Sequence, residues 1–103
     1  MSELKFEVKE DGAYVQLPAI LDLAQGGLLL SSLEQAFQSN LAIHISALEV
    51  ERATTGPIQI LIAAYRECGK RNLEFKLQEA SEIFEKAVCE LGFSNIYNNW
   101  SKI

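Results

Sequence analysis

Two cysteines, Cys68 and Cys89, leave no material for a disulfide framework in 103 residues, and no Cys-x-x-Cys spacing points to zinc. They are expected to be small buried hydrophobes in a reducing compartment, and no metal is expected. Histidine is scarcer still. His44 has no carboxylate, serine or cysteine placed by sequence to form a dyad with it, so it is expected to be a strand side chain and not a base. GxGxxG, GxxxxGK followed by Ser or Thr, HExxH and the serine elbow are all missing, so no catalytic residue and no cofactor is expected. Basic side chains number 9 against 14 acidic ones, a net charge of −5, and they are scattered, which excludes a surface that tracks nucleic-acid phosphates. Long apolar runs are absent as well. Met1 to Glu10 carries Glu3, Lys5, Glu7, Lys9 and Glu10, so neither a signal peptide nor a membrane span is expected and the cytoplasm is the expected location. Without a secretory signal the Asn99-Trp100-Ser101 sequon carries no meaning.

What is present suits one globular domain spanning residues 1–103, with 49% hydrophobic and 22% charged residues. Leu4, Phe6 and Val8 alternate with Lys5, Glu7 and Lys9, the period of a strand with one apolar face. Asp11-Gly12 suits a tight hairpin, Ala13 to Leu17 supplies the returning strand, and Pro18 ends it. From Leu23 to Ser39 the period changes to that of a helix, with Leu29, Leu30, Leu33 and Phe37 as its buried stripe. Gln25, Ser32, Gln35 and Gln38 are expected on its wet side, and the helix is expected to start after Gly26 and Gly27. Ala42 to Ala47 reads as a third, central strand.

A second helix is expected from about Pro57 to Cys68, capped by Thr55 or Gly56 and stopped at Gly69. Leu73, Phe75 and Leu77 mark a fourth strand. Ser81 then opens a helix burying Ile83, Phe84, Ala87, Val88 and Leu91, and Gly92 closes it. Phe93, Ile96, Tyr97 and Trp100 are expected to fold the tail, which runs to Ile103, back onto the domain. The order strand, strand, helix, strand, helix, strand, helix calls for an α/β fold: a mixed four-stranded sheet, an N-terminal antiparallel hairpin and three main helices.

Chemistry is concentrated in Ala53-Thr54-Thr55-Gly56-Pro57, at a strand-to-helix turn. Two hydroxyls there meet the positive end of a helix dipole and its unpaired N–H groups. Capping employs one threonine, and a phosphate is well tolerated at the same place. On the adjoining helix Ile60 and Ala64 fall off the expected core line, which marks Gln59, Ile60, Ala63, Arg66 and Glu67 as a candidate partner-binding face.

The run Ile43 to Gly92 resembles a STAS domain, the module of anti-sigma-factor antagonists. The likeness rests on the strand Ile43 to Ala47, Val50, the helix reading Ile58-Gln59-Ile60-Leu61-Ile62-Ala63-Ala64, the strand Leu73 to Leu77, Ser81 and Leu91-Gly92-Phe93. The resemblance implies a STAS-like fold and a non-catalytic signalling module that binds a bacterial signalling kinase. In the family the turn reads Asp-Ser-Ser-Gly-Leu, and its first Ser accepts phosphate from a partner kinase. Registering on Ile58 and Gln59 puts Thr55 on the acceptor, whereas registering on Gly56 puts Thr54 there; in both registers the acidic residue is missing. Leu17 to Leu23 and Val50 to Thr55 look further like small chemotaxis-associated STAS proteins, which implies a histidine kinase instead of an anti-sigma serine kinase. The resemblance also allows a structural subunit of a lipid-transport ABC ATPase complex. Whether the chain pairs with itself through the first hairpin is left open.

Overall fold

The computed structural model describes residues 3–100. β1 (Lys5–Lys9) and β2 (Gly12–Gln16) form the expected antiparallel hairpin, but Lys9 pairs with Gly12, so the two turn residues are Glu10 and Asp11. The turn lies one residue earlier than the Asp11-Gly12 signal suggests. Gly12 is needed inside the ladder instead, because a Cβ there would stand 2.8 Å from the Ala42 carbonyl oxygen and 2.9 Å from the His44 ring. β4 (Ile43–Ala47) pairs in parallel with β2 on one side and with β6 (Phe75–Ala80) on the other, giving the order β1-β2-β4-β6.

The registers set the two faces of this sheet. Phe6, Val15, Ile45 and Leu77 form one row across it, and Val8, Ala13, Ile43 and Phe75 form the next. These rows face the helices, with Ala13, Val15, Ile43, Ile45 and Leu77 buried. By the alternation of strand side chains, Glu7, Tyr14, His44 and Lys76 take the opposite face. The sequence alternation in the first strand is therefore a true record of the pleat.

Two short strands extend the expected element list. β3 (Ile20–Leu21), which follows β2, and β5 (Arg52–Ala53), which follows β4, pair in parallel and make a second, two-stranded sheet. Two-residue strands are too short for any periodicity to announce them.

α1 (Leu23–Gln38) runs straight through Gly26 and Gly27 instead of starting after them. The Asp22 carboxylate caps it, accepting from the Ala24 N–H at 3.0 Å, which offsets the cost of the glycines. Gly26 is itself buried and lies over α2, where an added Cβ would sit 3.6 Å from Ile60 Cδ1. The buried stripe is Gly26, Leu29, Ser32, Leu33 and Ala36. Ser32 is thus inside, donating to the Leu28 carbonyl at 2.9 Å, and Leu30 is 47% exposed. Three consecutive leucines let the sequence pattern slide by one residue, and packing against α2 and the sheet decided it.

α2 (Thr55–Arg71) buries Pro57, Ile58, Leu61, Ile62, Ala64 and Cys68. It passes Gly69 and stops at Asn72, whose φ of 59° is left-handed and whose N–H returns to the last turn. Ala64 lies under the neighbouring helix and is not a surface residue. α3 (Glu82–Glu90) is capped by Ser81, whose hydroxyl accepts from the Phe84 N–H and donates to the Val50 carbonyl. Phe84 and Val88 are buried, but Ile83 and Leu91 stay well exposed, because nine residues offer only one narrow core line. A fourth helix, α4 (Ser94–Trp100), follows Gly92 and buries Tyr97 and Trp100. The expected fold-back of the tail holds as far as Trp100; residues 101–103, and with them Ser101 of the sequon, lie outside the described residues.

Cys68 and Cys89 are both unbridged. Burial pushes the Cys68 thiol up to about 11, with the Glu67 carboxylate acting in the same direction. Since the thiolate is the reactive form, titration with a disulfide reagent at pH 8 is expected to show one accessible thiol, Cys89, and a second that reacts only on unfolding. Equal rates for the two thiols in the native protein would contradict this placement.

Candidate functional site

Thr54 and Thr55 lie where β5 passes into α2, and both are exposed. Two backbone connections fix this corner. Glu51 and Arg52 donate their N–H groups to the Ala19 carbonyl, and Thr54 donates to the Leu21 carbonyl at 3.0 Å. The connection after β2 and the connection after β4 are thereby stitched side by side, which brings Asp22 and Leu23 to the threonines.

Thr54, not Thr55 or Gly56, is the N-cap residue of α2, and its side chain makes no capping hydrogen bond. The chemistry of Pro57 accounts for part of this. A capping hydroxyl bonds the N–H of the second or third helical residue, and the third is Pro57, which has none. The capping role therefore does not consume the Thr54 hydroxyl, and Thr55 begins the helix itself. The helix supplies the positive end of its dipole at this point, and its first turn holds no acidic residue to neutralise it.

Two clefts flank the pair. One, of about 410 Å³, is lined by Asp22, Leu23 and Ala24 from the start of α1 together with Thr54, Thr55 and Gly56. Leu23 is 78% exposed and leans over Gly56, where a Cβ would meet its Cδ2 at 2.8 Å. The other runs from Ala53, the two threonines and Ile58 to Ala87 and Glu90 of α3 and Leu91 just after it. Asp22 is the site residue that motif reading missed. It stands more than thirty positions away in sequence, and only the β3–β5 pairing reveals that the corner has a carboxylate after all.

The candidate face of α2 divides in two. Gln59, Ala63 and Arg66 are exposed, with Ala63 at the rim toward α1. Ile60 and Glu67 are partly buried and line a groove against α1 with Leu30, Leu33, Glu34, Phe37, Ala63 and Ala64. Arg71 closes the end of this groove, 2.7 Å from Glu67 and with its guanidinium 5.0 Å from the centre of the Phe37 ring. The hydrogen bond from Arg71 holds the Glu67 carboxyl below its ordinary value. That contribution to stability is present above the carboxylate range and is lost as pH falls through it, though screening keeps it small for so exposed a pair.

His44 is buried on the face of the sheet away from the helices and stacks on Tyr14, with ring centroids 4.4 Å apart and planes within 8°. Neither of its ring nitrogens has a hydrogen-bond partner among the described residues. The Tyr14 hydroxyl bonds Asp11 at 2.9 Å, and Lys9 lies over the Tyr14 ring. This is a packed strand histidine. No group of three or more His, Cys, Asp or Glu among the described residues is placed to hold a metal ion. No helix among them is long and apolar enough to cross a membrane.

No family model matches the sequence, and no curated protein resembles it. The structure does have a counterpart. An anti-sigma factor antagonist from Mycobacterium paratuberculosis superposes with a TM-score of 0.78 over 93% of this chain and 82% of the other, at 16% sequence identity. The hairpin leading into a mixed four-stranded sheet and the crossover helices thus belong to an architecture already seen in a solved protein, and this chain has the STAS fold.

Proposed function

We propose that the chain is a non-catalytic interaction module that docks on a signalling kinase through Thr54, Thr55 and the adjoining face of α2. Gln59, Ala63 and Arg66 make the outer part of that surface, and Ile60 and Glu67 make its edge toward α1. One observation carries the reading: two exposed hydroxyls crown a 17-residue helix, and the one at the N-cap position makes no capping bond. The likeness of Leu17 to Leu23 and Val50 to Thr55 to chemotaxis-associated STAS proteins favours a histidine kinase as the partner.

Docking is tested by affinity capture with a purified chemotaxis-type histidine kinase. Ile60→Asp and Arg66→Glu are each expected to weaken capture by about tenfold or more, since a charge forced into a docked face goes unpaired. Unchanged capture by both folded variants would overturn the docking surface.

Phosphate transfer to the corner is a further part of the proposal. The new charge would sit at the positive end of α2, where it is tolerated, and would change the surface offered to the partner. This step calls for a serine kinase in place of a histidine kinase: intact mass after incubation with a serine kinase of the anti-sigma type and ATP is expected to rise by one phosphate in the native chain and not in a Thr54→Ala, Thr55→Ala double variant. Equal incorporation in both would place the acceptor elsewhere.

A further inference from the structure

Among the described residues eight large apolar side chains are exposed, of which Val8, Ile83 and Leu91 lie on β1, on α3 and just after α3. The other five, Ile20, Leu23, Leu28, Leu30 and Leu48, lie on β3, on α1 or just after β4, and two of them, Ile20 and Leu48, share one cleft. Beside the threonine corner, on the far side of Asp22 from it, a cleft of about 760 Å³ is lined by Ala19, Ile20, Ala24 and Leu48, together with Asp22, Gln25, Glu49 and Glu51. Ile20 is 49% exposed and Leu48 55% exposed. The same two backbone connections that build the corner build this cleft, since Glu51 and Ala19 are hydrogen-bonded across it.

Its charge is of one sign. Three carboxylates line the cleft and no Lys or Arg does. They are not grouped to chelate one ion, as no metal-binding cluster exists among the described residues. Spread carboxylates around an apolar floor suit several separate cations carried on an apolar backbone. An anionic membrane surface would be repelled. A second copy of this chain is a poor occupant, because its net charge is −5 and its few cations are scattered along the sequence.

We infer that this cleft seats a cationic amphipathic segment of a partner protein, whose apolar side chains cover Ile20 and Leu48 while its Lys or Arg side chains meet Asp22, Glu49 and Glu51. The inference rests on the reading of the chain as an interaction module and adds a surface distinct from the α2 face.

The test uses the full 103-residue chain, a labelled 14-residue amphipathic Leu–Lys peptide, and fluorescence anisotropy with amide NMR mapping. Saturable binding that shifts residues 19–25 and 48–51 is expected. Ile20→Ser with Leu48→Ser, and Glu49→Lys with Glu51→Lys, are each expected to weaken it about tenfold. Glu51→Gln alone is expected to weaken it less, which provides a reading should a double variant fail to fold. Arg66→Glu, on α2, is expected to leave it unchanged, so that the two surfaces fail or stand separately. A Leu–Glu peptide of the same pattern, and phosphatidylglycerol vesicles, are expected not to bind. Shifts confined to Glu82, Glu85 and Glu90 on α3 would overturn the inference. So would loss on charge reversal without loss on removing Ile20 and Leu48, which is the mark of unspecific charge attraction.

Discussion

Trp100→Ala is expected to lower stability by about 3–5 kcal/mol, the range for emptying a large aromatic from a core. The indole is only 1% exposed, and its ring packs against Tyr65 of α2 at 5.8 Å and Phe75 of β6 at 5.4 Å between centroids. Tyr65 and Phe75 touch one another as well, at 5.9 Å, so the three rings form one cluster that ties α4, α2 and β6 together. Removing the indole leaves a void with rigid walls on both remaining sides. For a domain of this size, each kcal/mol moves the melting temperature by roughly 4–8 °C, so the loss is easily read in a thermal or urea melt. Trp100→Phe separates packing from polarity. The indole N–H has no hydrogen-bond partner among the described residues, so phenylalanine forfeits volume alone and is expected to cost less than about 2 kcal/mol. Alanine and phenylalanine variants of equal stability would mean that the ring cluster contributes nothing.

Gly12→Val is expected to cost about 3 kcal/mol, and Gly12→Ala somewhat less. Two effects act together. The backbone at Gly12 has a φ of +157°, which side-chain-bearing residues rarely adopt. A Cβ would also approach the Ala42 carbonyl oxygen to 2.8 Å, the same oxygen that accepts the Ala13 N–H, so the obstacle is backbone and not a side chain that can swing aside. On its other side it would meet the His44 ring, held in place by its stack on Tyr14. The damage should therefore spread from the hairpin to the β2–β4 pairing, visible as lost protection of the Ala13 amide. A Gly12→Ala protein within 0.5 kcal/mol of the parent in urea would show that the strand moves freely to admit the methyl group.

Strand periodicity made the sheet legible in advance, because rows such as Phe6, Val15, Ile45 and Leu77 are buried on one side only and leave an alternating trace. Helix ends were less so. Gly69 looked like a stop, yet Asn72 has the left-handed backbone, since asparagine accepts that conformation and a surface glycine need not use it. The helix at Ser94 to Trp100 escaped notice because seven residues with three asparagines carry too little pattern. Thr54 and Thr55 stood out as residue types, but Asp22 did not, because its place beside them depends on the pairing of two-residue strands.

That pairing has a mechanical consequence. The segments that carry Asp22 and Thr54 share one small ladder and one set of hydrogen bonds from Glu51, Arg52 and Thr54, so they open as a single cooperative unit. Deuterium uptake at those three amides should rise and fall together. A ligand arriving at this end therefore meets a surface already set in shape and spends little free energy on ordering loops.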